Sequence, residues 1–162
     1  MHKATISIAL VGMLAACGGN SEMNGSTEKS VSPAPVIEPV TDDGRVALGY
    51  EHALAVHLDG RVFAWGRNDF GQLGNQSNLD SMAAVMVTGL SAVKTVRAGE
   101  MHSMALNRDG TIWAWGNNAQ GQLGIGSINW TNKPVQISGM SNVKELSTGA
   151  TSTIAIVNNG GI

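Results

Sequence analysis

The residues of this chain that could do chemistry are few. His52 and His102 lie 50 residues apart, a candidate base or ligand pair if the fold brings them together. No cysteine or paired carboxylate sits near either to complete a zinc set. The favoured reading is that they form local hydrogen bonds that hold loops, because both occupy the same position of a repeat. Ser91, Ser103 and Ser141 supply hydroxyls, yet none stands in a nucleophile-elbow context or has a base-plus-orienter arrangement apparent from sequence. Gly121-Gln122-Leu123-Gly124-Ile125-Gly126 superficially suggests a phosphate loop but lacks the spacing, and the strand feeding a helix, that such a loop requires. Trp65 and Trp115 could form a ligand cage, although they read better as core. Trp130 differs, because the matched position one period earlier holds Asp80 and the repeat does not require an aromatic there. It lies in a variable loop and is the candidate partner contact. These residues support no catalytic, metal or cofactor assignment, and the chain is read as a binding protein rather than an enzyme.

The elements that must position these residues are written into the sequence twice. Gly49 to Gly74 and Gly99 to Gly124 are identical at 13 of 26 positions, and a third copy begins at Gly149 with the same offset. A fixed period of this size signals stacked supersecondary units, each unable to bury its apolar faces alone. Within the second copy, His102 to Leu106 and Thr111 to Trp115 read as strands around Asp109-Gly110, and Asp59-Gly60 marks the same hairpin in the first. Ile112 and Ala114 share one face of their strand while Trp113 and Trp115 share the other. Both faces are apolar, so that strand should be covered on both sides.

Alanines at matched positions (Ala55, Ala105 and Ala155, then Ala64 and Ala114) leave room for close approach of a neighbouring sheet. Gly66 and Gly116 end their strands. In the turns Gly71-Gln72-Leu73-Gly74 and Gly121-Gln122-Leu123-Gly124, the leucines should plug the core and the glutamines should satisfy loop backbone groups. Matched residues from Val85 to Lys94 and from Val135 to Lys144 add two further short strands per period. Four short antiparallel strands per 50 residues make a β-propeller blade. The fold class is therefore all-β, with about 2.3 such repeats over residues 44–162.

His-x-x-Ala-Leu (with Val56 for the leucine in the first copy), Asp-Gly, Trp-Gly-x-Asn and Gly-Gln-Leu-Gly, in that order, resemble regulator-of-chromosome-condensation repeats. The resemblance implies a propeller that closes at seven blades, and its eukaryotic founder acts as a guanine-nucleotide exchange factor. The third copy departs from the pattern at Ser152 and Asn159, and the first has Ala84 where the second has Pro134. Seven blades would need about 350 residues, and an open arc leaves strand edges and blade faces uncovered. Three explanations stand: a partial chain, a fragment that self-associates through open blade edges, or a small open solenoid. A last residue in mid-hairpin favours the first.

Ahead of the repeats, Ala4 to Leu14 is an apolar run of 11 residues, too short for a span of about 20. It leads into Leu14-Ala15-Ala16-Cys17, which resembles the lipobox of bacterial lipoproteins. That resemblance implies a signal peptide over residues 1–16, cleavage before Cys17, and N-acyl and S-diacylglyceryl groups on this cysteine. Cys17 is the only cysteine, so no intrachain disulfide is possible. Residues 17–43 are rich in Gly, Ser, Asn, Glu and Pro and read as a flexible leash. With Gly18 rather than aspartate after the cysteine, the sorting rule implied by the resemblance points to the outer membrane.

Net charge is −2 and no lysine or arginine cluster occurs, so the footprint of a nucleic-acid binder is missing. The expected function is a cell-envelope lipoprotein whose repeats bind a protein partner through the loops Asn75–Ala84 and Ile125–Lys133. The alternatives are exchange on a GTPase, for which no exchange residues map onto this chain, and an envelope glycan-binding module or enzyme.

Overall fold

The chain divides into Met1–Thr41 and Asp42–Ile162. A computed structural model describes residues 44–158. Cys17, the lipobox, the leash, Asn159 and Gly160 lie outside the described residues.

Each hairpin grows from its Asp-Gly turn. The Asp59 carboxylate accepts from the Arg61 backbone N–H at 3.0 Å, and Asp109 accepts from that of Thr111 at 2.9 Å. These bonds hold both carboxyls below the ordinary aspartate range, with the Arg61 backbone bond leading for Asp59 and the Thr111 side chain for Asp109. Gly60 and Gly110 follow at φ of 85° and 80°, where a side chain would be strained.

Ten short strands result: β1 (Val46–Leu48), β2 (His52–Val56), β3 (Val62–Gly66), β4 (Ser81–Met86), β5 (Val93–Ala98), β6 (His102–Asn107), β7 (Ile112–Gly116), β8 (Thr131–Gln136), β9 (Val143–Thr148) and β10 (Thr153–Val157). They form antiparallel meanders in chain order, β1-β2-β3-β4 and β5-β6-β7-β8, followed by the pair β9-β10. These are two complete four-stranded blades and the first half of a third. The sheets run out of phase with the sequence copies: the strand before Gly49, Gly99 or Gly149 belongs to the sheet that the following copy builds. Pro134 sits in β8, an outermost strand, where a missing N–H breaks no central ladder.

The core lies between blades, as the doubly apolar strands require. Leu54, Val62, Ala64 and Leu73 of the first blade pack against Val96, Ala105 and Trp115 of the second. Met104, Leu106, Ile112, Ala114 and Leu123 of the second pack with Val143 and Leu146 of the third, joined by the partly buried Ala155. Trp115 thus looks back to the blade before it, while Ile112 and Ala114 look forward. Backbone bonds stitch the loops between the first and second strands of successive blades, from the Tyr50 N–H to the Glu100 carbonyl (3.2 Å) and from the Glu100 N–H to that of Ala150 (3.0 Å).

Candidate interaction surface

The loops between the third and fourth strands of the two complete blades are each built around a buried asparagine. Asn68 Oδ1 accepts from the Leu73 N–H at 2.9 Å, and its Nδ2 donates to the carbonyls of Ser77 and Leu79. Asn118 repeats the arrangement with Leu123, Ser127 and Asn129. One amide therefore folds a loop of about a dozen residues over itself, and the leucine it holds is driven into the core. Gln72 and Gln122 accept from the N–H two residues before them, those of Phe70 and Gln120. Both asparagines stand in the repeated Trp-Gly-x-Asn, so the signal was present in the sequence, although it did not single them out as organisers.

What these loops present is apolar. Leu79 is 78% exposed, Ile128 72%, Trp130 52%, and Met82 at the start of β4 is 96% exposed. The two loops meet across the blade boundary: Asn132 Nδ2 donates to Asn78 Oδ1 at 3.0 Å, and the Gln76 N–H donates to the Asn132 carbonyl at 2.9 Å. Arg67 stands beside them, paired with both Glu51 and Asp69, and Asn78 donates to the Asp69 carbonyl. The divergence at Trp130 has a structural counterpart. Asp80, its match, accepts from the Asn68 N–H at 2.7 Å and so closes the first loop, whereas in the second blade Trp130 stands at that position about half exposed.

The repeat histidines do something other than hold their own loops, which corrects the expectation of local bonding. His52 Nε2 bonds Ser103 Oγ of the next blade at 2.9 Å, and His102 Nε2 bonds Thr153 Oγ1 of the blade after that at 3.3 Å. Ser103 Oγ donates to the Gln72 carbonyl and Thr153 Oγ1 to that of Gln122. Each hydroxyl therefore accepts from an Nε2–H, which assigns the Nε2-protonated tautomer to both rings when neutral. The rings also occupy the space that a Cβ on Gly49 or Gly99 would need.

His52 and Ser103 form the base–hydroxyl contact of a hydrolase, and their surroundings disable it. Both are buried, the hydroxyl proton is committed to a carbonyl, and His52 Nδ1 has no partner to orient the ring. Burial lowers the pKa of both histidines to about 4, with the charge of His102 adding to the effect on His52. Such a ring is a poor base at neutral pH. Among the described residues no three His, Cys, Asp or Glu side chains converge as a metal site.

Trp65 and Trp115, matched in sequence, part in structure: Trp115 is fully buried and Trp65 is partly exposed. Ser91 and Ser141 are exposed.

A family model described as the Regulator of chromosome condensation (RCC1) repeat matches residues 59–106 and 109–156, and a second of the same description matches 40–72 and 93–122. The chain is 44% identical over 52 residues to the X-linked retinitis pigmentosa GTPase regulator homolog of Caenorhabditis elegans, covering 32% of this chain and 4% of that protein. Among solved structures, human WBSCR16 superposes with a TM-score of 0.61 at 26% identity, covering 68% of this chain and 30% of that one. Yeast RCC1 (Prp20), solved bound to Kap60, gives 0.57 at 29% identity, covering 68% and 27%. The chain thus spans under a third of these solved chains and a small fraction of the nematode protein.

Proposed function

Because this chain belongs to the regulator of chromosome condensation (RCC1) repeat family, we propose that it is a lipid-anchored protein of the bacterial cell envelope whose blades present a protein-binding surface. The observation that carries the binding half is the exposed apolar rim of Leu79, Met82, Ile128 and Trp130 on loops held by Asn68 and Asn118. Loops held by buried amides that present Trp and Met beside polar groups carry residues enriched at interface cores. The yeast relative is solved with a protein bound, which supports the same use of the scaffold. The GTPase-regulator name of the nematode relative is not carried over, since the match spans 4% of that protein.

The anchoring half rests on Leu14-Ala15-Ala16-Cys17 after an apolar run. Two or more acyl chains hold a protein stably at a bilayer where one is marginal, at about 0.8 kcal/mol per buried CH₂. By the sorting rule that the lipobox resemblance implies, Gly18 rather than aspartate after the cysteine favours the outer membrane.

Two measurements test the two halves separately. In detergent phase partitioning, the native chain should enter the detergent phase, and Cys17→Ser should remain an unprocessed or aqueous precursor. Equal partitioning of the two would remove the anchor. In capture from envelope extract, Leu79→Ser with Trp130→Ser should lose at least about tenfold of the retained partner while unfolding at the same temperature. Undiminished capture would move the interface off this rim.

A further inference from the structure

The sequence keeps its cations apart, and the fold gathers three of them. Lys94 of β5 and Lys144 of β9 occupy the same repeat position on successive blades, and Arg108 stands in the hairpin between β6 and β7. All three are exposed. With Asp109 and Asn142 they line a pocket of about 470 Å³. Because the strands alternate in direction, this pocket lies at the hairpin end of the blades, opposite the loop rim.

Backbone bonds fix its walls. The Arg108 N–H donates to the Ala92 carbonyl at 3.0 Å, and the Val143 N–H donates to that of Gly110 at 3.1 Å. A Cβ on Gly110 would stand 3.0 Å from Asn142 Cα, so hairpin and turn are in close contact. Arg61 and Arg67 are neutralised where they stand, by Asp59 and by Glu51 with Asp69. Among the described residues, Lys94, Arg108 and Lys144 have no ion-pair partner. The Asp109 carboxylate in the same pocket is turned to Thr111, accepting from its N–H at 2.9 Å and its Oγ1 at 2.6 Å. Lys94 and Lys144 also line the adjoining groove along β1, β5 and β9, with Arg97 and Glu145. There the Arg97 guanidinium donates to the carbonyls of Val96 and Leu146.

Three cations against one carboxylate leave the pocket a net charge of +2. Unpaired like charges held together repel one another, and a bound anion relieves that cost. We infer that the pocket binds a phosphate monoester. Such a group carries a charge of about −1.5 to −2 at neutral pH and three strong acceptor oxygens, which matches the charge and the three cationic donors. Asn142 adds an amide donor. A carboxylate would offset only half of the charge. The volume lies in the usual range for a small ligand, about 300–1,000 Å³. A single pocket of this charge is far short of a nucleic-acid footprint. The site depends neither on the loop rim nor on the anchor.

The full chain in neutral detergent is titrated calorimetrically with glycerol 3-phosphate as the soluble probe, and with phosphatidic acid in mixed micelles as the lipid one. A Kd of about 1 mM is expected for the soluble probe at low ionic strength, because the cations are exposed. It should rise at least about fivefold in 0.3 M salt. Lys94→Gln with Lys144→Gln should weaken binding at least about tenfold at an unchanged unfolding temperature. Lys133→Gln removes an exposed cation outside the pocket and should leave binding unchanged. Acetate should bind at least about fivefold more weakly than the phosphate probe. Tighter binding of phosphatidic acid would support the site with the phosphate on a lipid headgroup, and equal or weaker binding would support it with the phosphate on a soluble molecule. No saturation by about 20 mM of either probe, an equal loss in Lys133→Gln, or acetate binding as well as phosphate would overturn the assignment.

Discussion

Trp115→Ala is expected to destabilise the blades by about 3–5 kcal/mol, and Trp65→Ala by less than half of that. The two residues share a motif, a strand position and the same flanking sequence, so any difference arises from packing. Trp115 is fully buried against the preceding blade, and its loss leaves a cavity and takes one of two donors from the Gln72 carbonyl. Trp65 is already partly exposed. A domain holds only about 5–15 kcal/mol in total, so the Trp115 variant should lie near its unfolding midpoint in dilute urea. Urea titrations followed by circular dichroism make the comparison. Equal losses at the two positions would mean that the inter-blade seat contributes nothing specific.

Acid should unseat the blades well before ordinary carboxylates titrate. His52 and His102 have pKa values of about 4 in the folded chain, against about 6.5 when exposed. A lowered histidine pKa means that the unfolded state binds protons more readily. The stabilisation is therefore complete above about pH 6.5 and is lost as pH falls from there through 4. Linkage puts the loss at about 2 kcal/mol for each ring at pH 5. Asp59 and Asp109 have lowered values too, and their contribution fades only below the usual aspartate range, at more acid pH. Urea midpoints at pH 7.5 and 5.0 should differ strongly for the native chain, and His52→Gln with His102→Gln should flatten that difference. An unchanged slope in the double variant would show that other groups carry the acid response. The physical reason for the sensitivity is burial: the added proton goes to Nδ1, which has no partner in either ring, and leaves a desolvated charge between the blades.

Much of the blade could be read from residue spacing because its information is local. Asp109 bonds a residue two positions on, and Asn118 reaches 11 positions to Asn129. The alternation of Ile112 and Ala114 against Trp113 and Trp115 declared two covered faces before any sheet was known. The asparagines were visible as identical letters, yet their weight came only with burial, since a solvated amide contributes little and a buried one with its bonds made directs a whole loop.

The destination of the histidines was not legible in the same way. Their partners, Ser103 and Thr153, are 51 residues away. Which neighbour a ring meets depends on how one sheet is rotated onto the next, a quantity with no signature inside a single copy. Nor was it legible that Leu79 and Trp130, on different blades, belong to one rim. That required the contact between Asn78 and Asn132, 54 residues apart.

The sequence by itself determined the blade, because hairpin turns, strand alternation and loop amides act between residues a few positions apart and recur with each copy. The tertiary structure decided what each copy became. Trp65 and Trp115 are the same residue in the same motif, and one is partly exposed while the other is fully buried. Burial depends on the neighbouring blade, and repetition of a motif does not specify on which side a neighbour stands.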